Sequence, residues 1–248
     1  MQIKNLLLLL LSFFIVTSCV FTEEIDFKKN GSGTYTFKAD IGKMMEAMGD
    51  IGKENDTIVT KEPEKIDTIM YMKDILEQNK DSINKLSKED REILESVKDL
   101  KMHMRMDEAE KKMNMDFIFD FKSLEDLKNI GERVQKAQEL STKKNRDDEF
   151  SSNTDVNYTF NGKTFKRTVT YKDMTDEQKA AYEEKIKQAT QMFEGSVYRI
   201  IYHFPYAIKS ISTEGAILSD ENKTMTLEMP MDSVMKNPLL LNFEVQLK

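Results

Sequence analysis

The feature that most limits what this chain can fold into is a recurring pattern. Residues alternating between apolar and polar at period two run directly into a stretch with helical spacing, three or four times over. In "GTYTFKADIGKMMEAMGDI", Tyr35, Phe37 and Ala39 alternate with polar residues, and Asp40 offers a cap for a helix carrying Ile41, Met44, Met45 and Met48. Just upstream, Ile25 and Phe27 share one face before Asn30-Gly31, a hairpin signal. The second unit sets Met102, Met104 and Met106 on one face of a strand and Lys101, His103 and Arg105 on the other. After a charged turn, Met113, Met115, Phe117, Phe119 and Phe121 alternate. Ser123 with Asp126 has capping-box spacing and opens "LEDLKNIGERVQKAQEL", a helical stripe of Leu124, Leu127, Ile130 and Val134. In the third unit Asn161-Gly162 joins two alternating runs, and Thr175 with Gln178 opens a helix reaching about Phe193. A shorter fourth copy, "KTMTLEMPMDSVMKN", meets Pro230 at a helix start.

Hairpins that feed helices imply an α+β fold on antiparallel sheet. The other pieces fit around it. "KDILEQN" and "KEDREILESV" read as short helices. "SVYRIIYHFPYAIKSIS" reads as a long strand broken by Pro205 and then a second strand, and "PLLLNFEVQL" as the closing strand. Residues 52–64 and 141–154 are polar enough to be exposed loops.

The chain begins differently. Lys4 is the only charge ahead of an apolar run from Leu6 to Val16, interrupted only by Ser12. Eleven helical residues reach roughly 16 Å, about half of a bilayer's hydrocarbon core, so the run suits a signal peptide better than a spanning helix. It ends in Val16-Thr17-Ser18-Cys19, which resembles the lipobox of bacterial lipoproteins. That resemblance implies a signal peptide over 1–18, cleavage before Cys19 and attachment of lipid, including palmitate-type acyl chains, to Cys19. No second cysteine exists to form an internal disulfide. The mature chain, 19–248, would lose one lysine, moving the net charge from −7 to −8. That acidic balance argues against nucleic acid as a partner. Glu23 and Glu24 follow the cysteine. They resemble the acidic export signal of Bacteroidetes-type lipoproteins, and equally suit the solvent face of a first strand.

Two further resemblances bear on fold. "IIYHFPYAIKSISTEGAILSDENKTMTLEMPMDSV" resembles the mycobacterial LppM-type lipoprotein domain, with a hydrophobic strand ending in proline, then a strand, a glycine and a polar-led strand. It implies an α+β fold behind a lipid anchor. That family has been linked to phospholipid head groups, and no motif here transfers its binding residues. The whole chain also resembles small Bacteroidetes lipoproteins without an assigned activity.

Chemistry-bearing patterns are sparse. Three methionines and His103 in "MHMRM", followed by "MNM", suggest soft ligands for copper(I). The methionines share a face that the phenylalanines continue, whereas His103 points away, so core packing is the expectation and no metal site is assigned. His103 and His203 stand in no metal-ligand spacing, and no nucleophile elbow, phosphate loop or dinucleotide turn occurs. Asp116 and Asp120 share a strand face and are expected to face solvent. No catalytic residue and no cofactor are expected. Four tripeptides resemble the Asp-Ser/Thr-aliphatic sequon of Bacteroidetes O-glycosylation, with Thr57, Thr68, Ser82 and Ser233 as acceptors. Capping accounts equally well for Asp81 and Asp232. The sequence therefore leads to a non-catalytic envelope lipoprotein, tied to the outer membrane through its N-terminal lipid, that binds a protein, lipid or glycan partner or serves a structural role. A lipid- or glycan-handling binder would need an apolar groove between sheet and helices. An enzyme would need acids or histidines converging in a pocket.

Overall fold

Alternating strands joined by tight turns account for most of the architecture. In the computed structural model the described residues are 19–42, 64–142 and 153–248. The expected signal peptide at 1–18, the expected helix through Met44, Met45 and Met48, and most of the expected loops at 52–64 and 141–154 lie outside them. Ser141 and Thr142, expected in a loop, instead end a helix.

Strands β1 (Val20–Phe27) and β2 (Gly33–Asp40) form the first hairpin. Gly31 adopts φ 83°, and Asn30 Oδ1 accepts from the Ser32 N–H at 3.2 Å and its hydroxyl at 2.7 Å. Gly33 is forced by crowding, since a Cβ there would lie 2.1 Å from the Asp26 carbonyl oxygen. The second hairpin joins β4 (Lys101–Asp107) to β5 (Lys112–Phe121), with β3 (Lys65–Tyr71) on its outer edge. The third joins β6 (Thr154–Phe160) to β7 (Thr164–Tyr171) through Asn161-Gly162, where Asn161 Oδ1 accepts from the Lys163 and Thr164 N–H groups. Then come β8 (Val197–His203), β9 (Ile208–Ile211), β10 (Ile217–Leu218), β11 (Thr224–Pro230) and β12 (Phe243–Leu247).

The helices are α1 (Met72–Gln78), α2 (Lys80–Ile83), α3 (Lys88–Ser96), α4 (Ile130–Thr142), α5 (Asp176–Met192) and α6 (Met231–Lys236). The Thr175–Gln178 capping box starts α5 as expected. The long helix expected from Ser123 is broken. A 3₁₀ turn covers Leu124–Leu127, Asn129 takes φ 50°, and α4 begins only at Ile130. Tertiary contact holds the break, because Asn129 donates to Asp155 and accepts from the Val156 N–H, both at 2.8 Å. The strand expected over "PLLLNFEVQL" is also shorter. Pro238–Leu241 forms a 3₁₀ turn, with proline's fixed φ at its start.

The fold is α+β, with mostly antiparallel sheets. Its units do not stack into a single sheet, however. Eight strands run in the order β10-β11-β8-β1-β2-β5-β4-β3, and four in the order β6-β7-β12-β9. The pairing of β1 with β8 is parallel. At Pro205 the chain leaves one sheet for the other, so β8 and β9 fall in different layers. The four-stranded sheet packs on the inner face of the larger sheet through contacts such as Phe165 with Tyr202, and α3 packs against α4. Between the layers Phe27, Phe165, Tyr202, Phe204 and Phe243 interlock. Phe165 and Tyr202 meet edge to face at 5.4 Å, and Phe27 stacks on Phe204 at 5.1 Å. Each such pair contributes about 0.5–1.5 kcal/mol beyond the area it buries.

Candidate functional site

Alternation places Phe21, Glu23, Ile25 and Phe27 of β1 on the inner face, and Phe165, Arg167 and Val169 of β7 opposite them. One position in each run carries a charge where the pattern calls for an apolar residue. The two charges meet between the sheets. Arg167 donates from Nη2 to Glu23 Oε2 at 3.1 Å and from Nε to Oε1 at 3.3 Å, and its Nη1 reaches the Leu241 carbonyl at 3.1 Å. Tyr158 donates to Oε1 at 2.9 Å, Tyr198 to Oε2 at 2.7 Å, and Tyr202 also to Oε1. Five donors saturate a carboxylate that is 2% exposed, opposite a guanidinium that is 3% exposed. Burial works against the charge on Glu23, but Arg167 and then the tyrosine hydroxyls outweigh it and hold the carboxyl below its ordinary range.

Beside this pair the second sheet ends and α4 takes over, leaving a cleft of about 370 Å³. Its walls include Phe37 and Phe117 of the large sheet, Ile130 and Val134 of α4, Leu127 and Val156. Tyr35, Glu23, Arg167, Tyr158 and Tyr198 line its polar end. Mostly apolar walls with a few convergent polar groups, at this volume, are typical of small-molecule sites. Tyr35 is 7% exposed, and its hydroxyl makes no hydrogen bond to any described residue. Burial and then the Glu23 charge push that hydroxyl's pKa well above the ordinary range, so it stays protonated. Another lining residue, Glu132, receives Lys172 at 2.8 Å and Lys136 at 3.1 Å.

The outer face of the large sheet is a ladder of paired charges. Glu24, next to Glu23 in sequence, points outward and accepts from Lys38 and from His203 Nε2, the latter at 3.2 Å. Asp26 lies 4.0 Å from the same nitrogen, and His203 Nδ1 is held by the Thr224 hydroxyl at 2.9 Å. Glu24, Asp26 and His203 thus bring ligand atoms within 4.8 Å of one another and could accept a divalent cation across β1 and β8, against competition from Lys38. Residue spacing within a single strand does not reveal such a set.

The residues singled out from sequence are scattered. Cys19 is half-buried, and its carbonyl accepts from the Val197 N–H at 3.0 Å, so the strand begins one residue after it. Thr57 lies outside the described residues. Thr68 is exposed on edge strand β3, Ser82 is exposed in α2, and Ser233 is half-buried in α6. Of the two readings of the glutamates after the cysteine, a place on the solvent face of the first strand fits Glu24 and not Glu23, which is buried. Asp116 also departs from expectation. It is 7% exposed and bound by Arg105 at 2.7 Å, whereas Asp120 stays exposed between Lys101 and Thr34. Met102, Met104 and Met106 line the inner face in register with Phe117, Met115 and Met113, and all three are half-buried. His103 turns outward to Asp67 at 2.6 Å. No helix among the described residues is long and apolar enough to cross a membrane.

Comparison with known proteins adds little to this geometry. No family model matches the chain, and no curated protein matches it. Among solved structures, the folded domain of LppM from Mycobacterium tuberculosis aligns over 93% of this chain and 89% of that one, at 6% identity and a TM-score of 0.39. Those values mark a loose likeness in shape.

Proposed function

We propose that this protein is a lipid-anchored lipoprotein of the outer membrane, whose domain binds a small, largely apolar ligand in the cleft and catalyses no reaction. The cleft carries the reading: apolar walls lead to a polar end where the Tyr35 hydroxyl makes no hydrogen bond to any described residue. The absence of catalysis fits the state of Glu23. Its oxygens are fully engaged by five donors and have no lone pair to spare for general-base work.

The anchor and the cleft are close together along one strand. β1 starts directly after Cys19, and Glu23 lies four residues further on, roughly 13 Å at strand rise. A lipid on Cys19 would therefore hold the domain against the bilayer with little tether, and with the cleft near the membrane surface. Thr68 and Ser82, both exposed, are the described candidates best placed for O-glycosylation.

Two measurements test the reading. Labelled palmitate should enter the wild-type protein and not Cys19→Ala, and the labelled protein should fractionate with outer membrane. The chain 19–248, which contains every described residue, should bind the neutral fluorophore N-phenyl-1-naphthylamine saturably. Val134→Trp, which fills the cleft from α4, should abolish that binding while leaving the circular dichroism unchanged. Failure of saturable binding, or binding indifferent to Val134→Trp, would remove the cleft as the site.

A further inference from the structure

We infer that the cleft selects an uncharged amphiphile, one with an apolar body and a single neutral oxygen that accepts a hydrogen bond from Tyr35. This deepens, and rests on, the reading of the cleft as a ligand site.

Three observations carry it. First, the charged groups that line the inner end among the described residues are paired with each other. Glu23 and Arg167 form a closed pair, and their donors and acceptors are spent on each other, on three tyrosine hydroxyls and on the Leu241 carbonyl. A ligand carboxylate or phosphate placed there would find no free counter-ion, and a buried charge without a partner is strongly disfavoured. Second, the hydroxyl of Tyr35, a residue only 7% exposed, lines the cleft and makes no hydrogen bond to any described residue. Between low-dielectric walls a hydrogen bond is stronger than in bulk water, so an oxygen that accepts the Tyr35 proton gains more than the same contact made outside the cleft. Third, the field at that hydroxyl is unfavourable to anions. Of the charges acting on Tyr35 after burial, Glu23 is the strongest and outweighs the opposing Arg167, which keeps the phenol protonated and able to donate.

The lysines that reach the lining residue Glu132 are already engaged. Lys172 and Lys136 both bind Glu132, and neither lines the cavity. A neutral alcohol, ester or ether oxygen on an apolar chain matches all of these features. A fatty-acid anion of the same length matches only the walls.

The test compares 1-decanol with decanoate at about pH 8, where the acid is ionised, by isothermal titration into the chain 19–248. Decanol should bind at least about tenfold more tightly. Tyr35→Phe should weaken decanol several-fold and leave decanoate unchanged, narrowing the ratio, with near-ultraviolet circular dichroism confirming the fold. Val134→Trp should abolish both. Decanoate binding as tightly as decanol, or a ratio indifferent to Tyr35→Phe, overturns the selectivity for neutral ligands while the binding site stands. If neither amphiphile binds, nor the fluorophore, the site itself falls and the selectivity with it.

Discussion

Glu23 and Glu24 are neighbours on β1, both carboxylates, both paired with a cation, and their surroundings could hardly differ more. Glu23 faces inward, where Arg167 and three tyrosines replace every contact with water. Glu24 faces outward, where Lys38 and His203 meet it at a partly solvated surface. The same residue type serves two purposes because strand side chains alternate in direction. Inside, removing a charge from one partner leaves the other stranded in a medium that solvates it poorly. Outside, water and salt stand in for a lost partner.

The largest effect expected from breaking the contrast is that of Glu23→Gln. It keeps the shape and the acceptor oxygen but strands Arg167, and should cost about 3–5 kcal/mol in urea unfolding. A cost below about 1 kcal/mol would mean that the pair is solvated after all. Adding Arg167→Met to Glu23→Gln should then restore a substantial part of the loss, because the uncompensated charge is gone. Strict additivity of the two changes would exclude coupling between Glu23 and Arg167.

Alkaline titration separates the two faces next. Burial first, and then Glu23, raises the pKa of Tyr35, Tyr158, Tyr198 and Tyr202 above the ordinary value of 10.0. Groups with raised folded-state values stabilise fully below the unfolded value and lose that contribution as pH climbs beyond it. Stability should therefore fall above about pH 10, and the phenolate absorbance of these tyrosines should appear only with unfolding. Phenolate forming in the folded protein would show that the inner end is wet.

The smallest effect belongs to Glu24→Gln, under about 1 kcal/mol and shrinking as salt is added. Burial alone would raise the Glu24 carboxyl, but Lys38 and His203 bring it below 4.5. Its contribution is complete above that value and is lost as pH falls through the lower folded one. The variant should accordingly show a shallower acid decline below about pH 4.5 than the wild type. An acid limb identical to wild type would show that the outer pair contributes nothing measurable.

Much of the fold was readable because its signals are local. Asn30-Gly31 and Asn161-Gly162 turn where their backbone preferences require, and the Thr175–Gln178 box starts α5. Strand β3 was missed because its alternation is weak: Ile69 is 50% exposed, and none of its residues is buried. Continuity of the apolar stripe misread the helix after Ser123, since Asn129 is bent by partners on β6 that no local pattern contains. The candidate site left a legible trace. Glu23 and Arg167 each interrupt an apolar face, and two opposite charges at inward positions invite pairing. The cleft left none, being space between elements distant in the chain.

By itself, the sequence determined most of the strands other than β3, where the hairpins turn, and which face of those strands is apolar, because those outcomes depend on residues a few positions apart. It also marked Cys19 as a candidate anchor, and the structure places it one residue before β1. Only the tertiary structure decided that the hairpins divide between two sheets, that the chain crosses layers at Pro205, and that Glu23 meets Arg167 across a separation of 144 residues. The reason is physical. Pairing between sheets is selected by the burial of whole faces against one another, and the cleft is the volume that packing leaves unfilled beside α4.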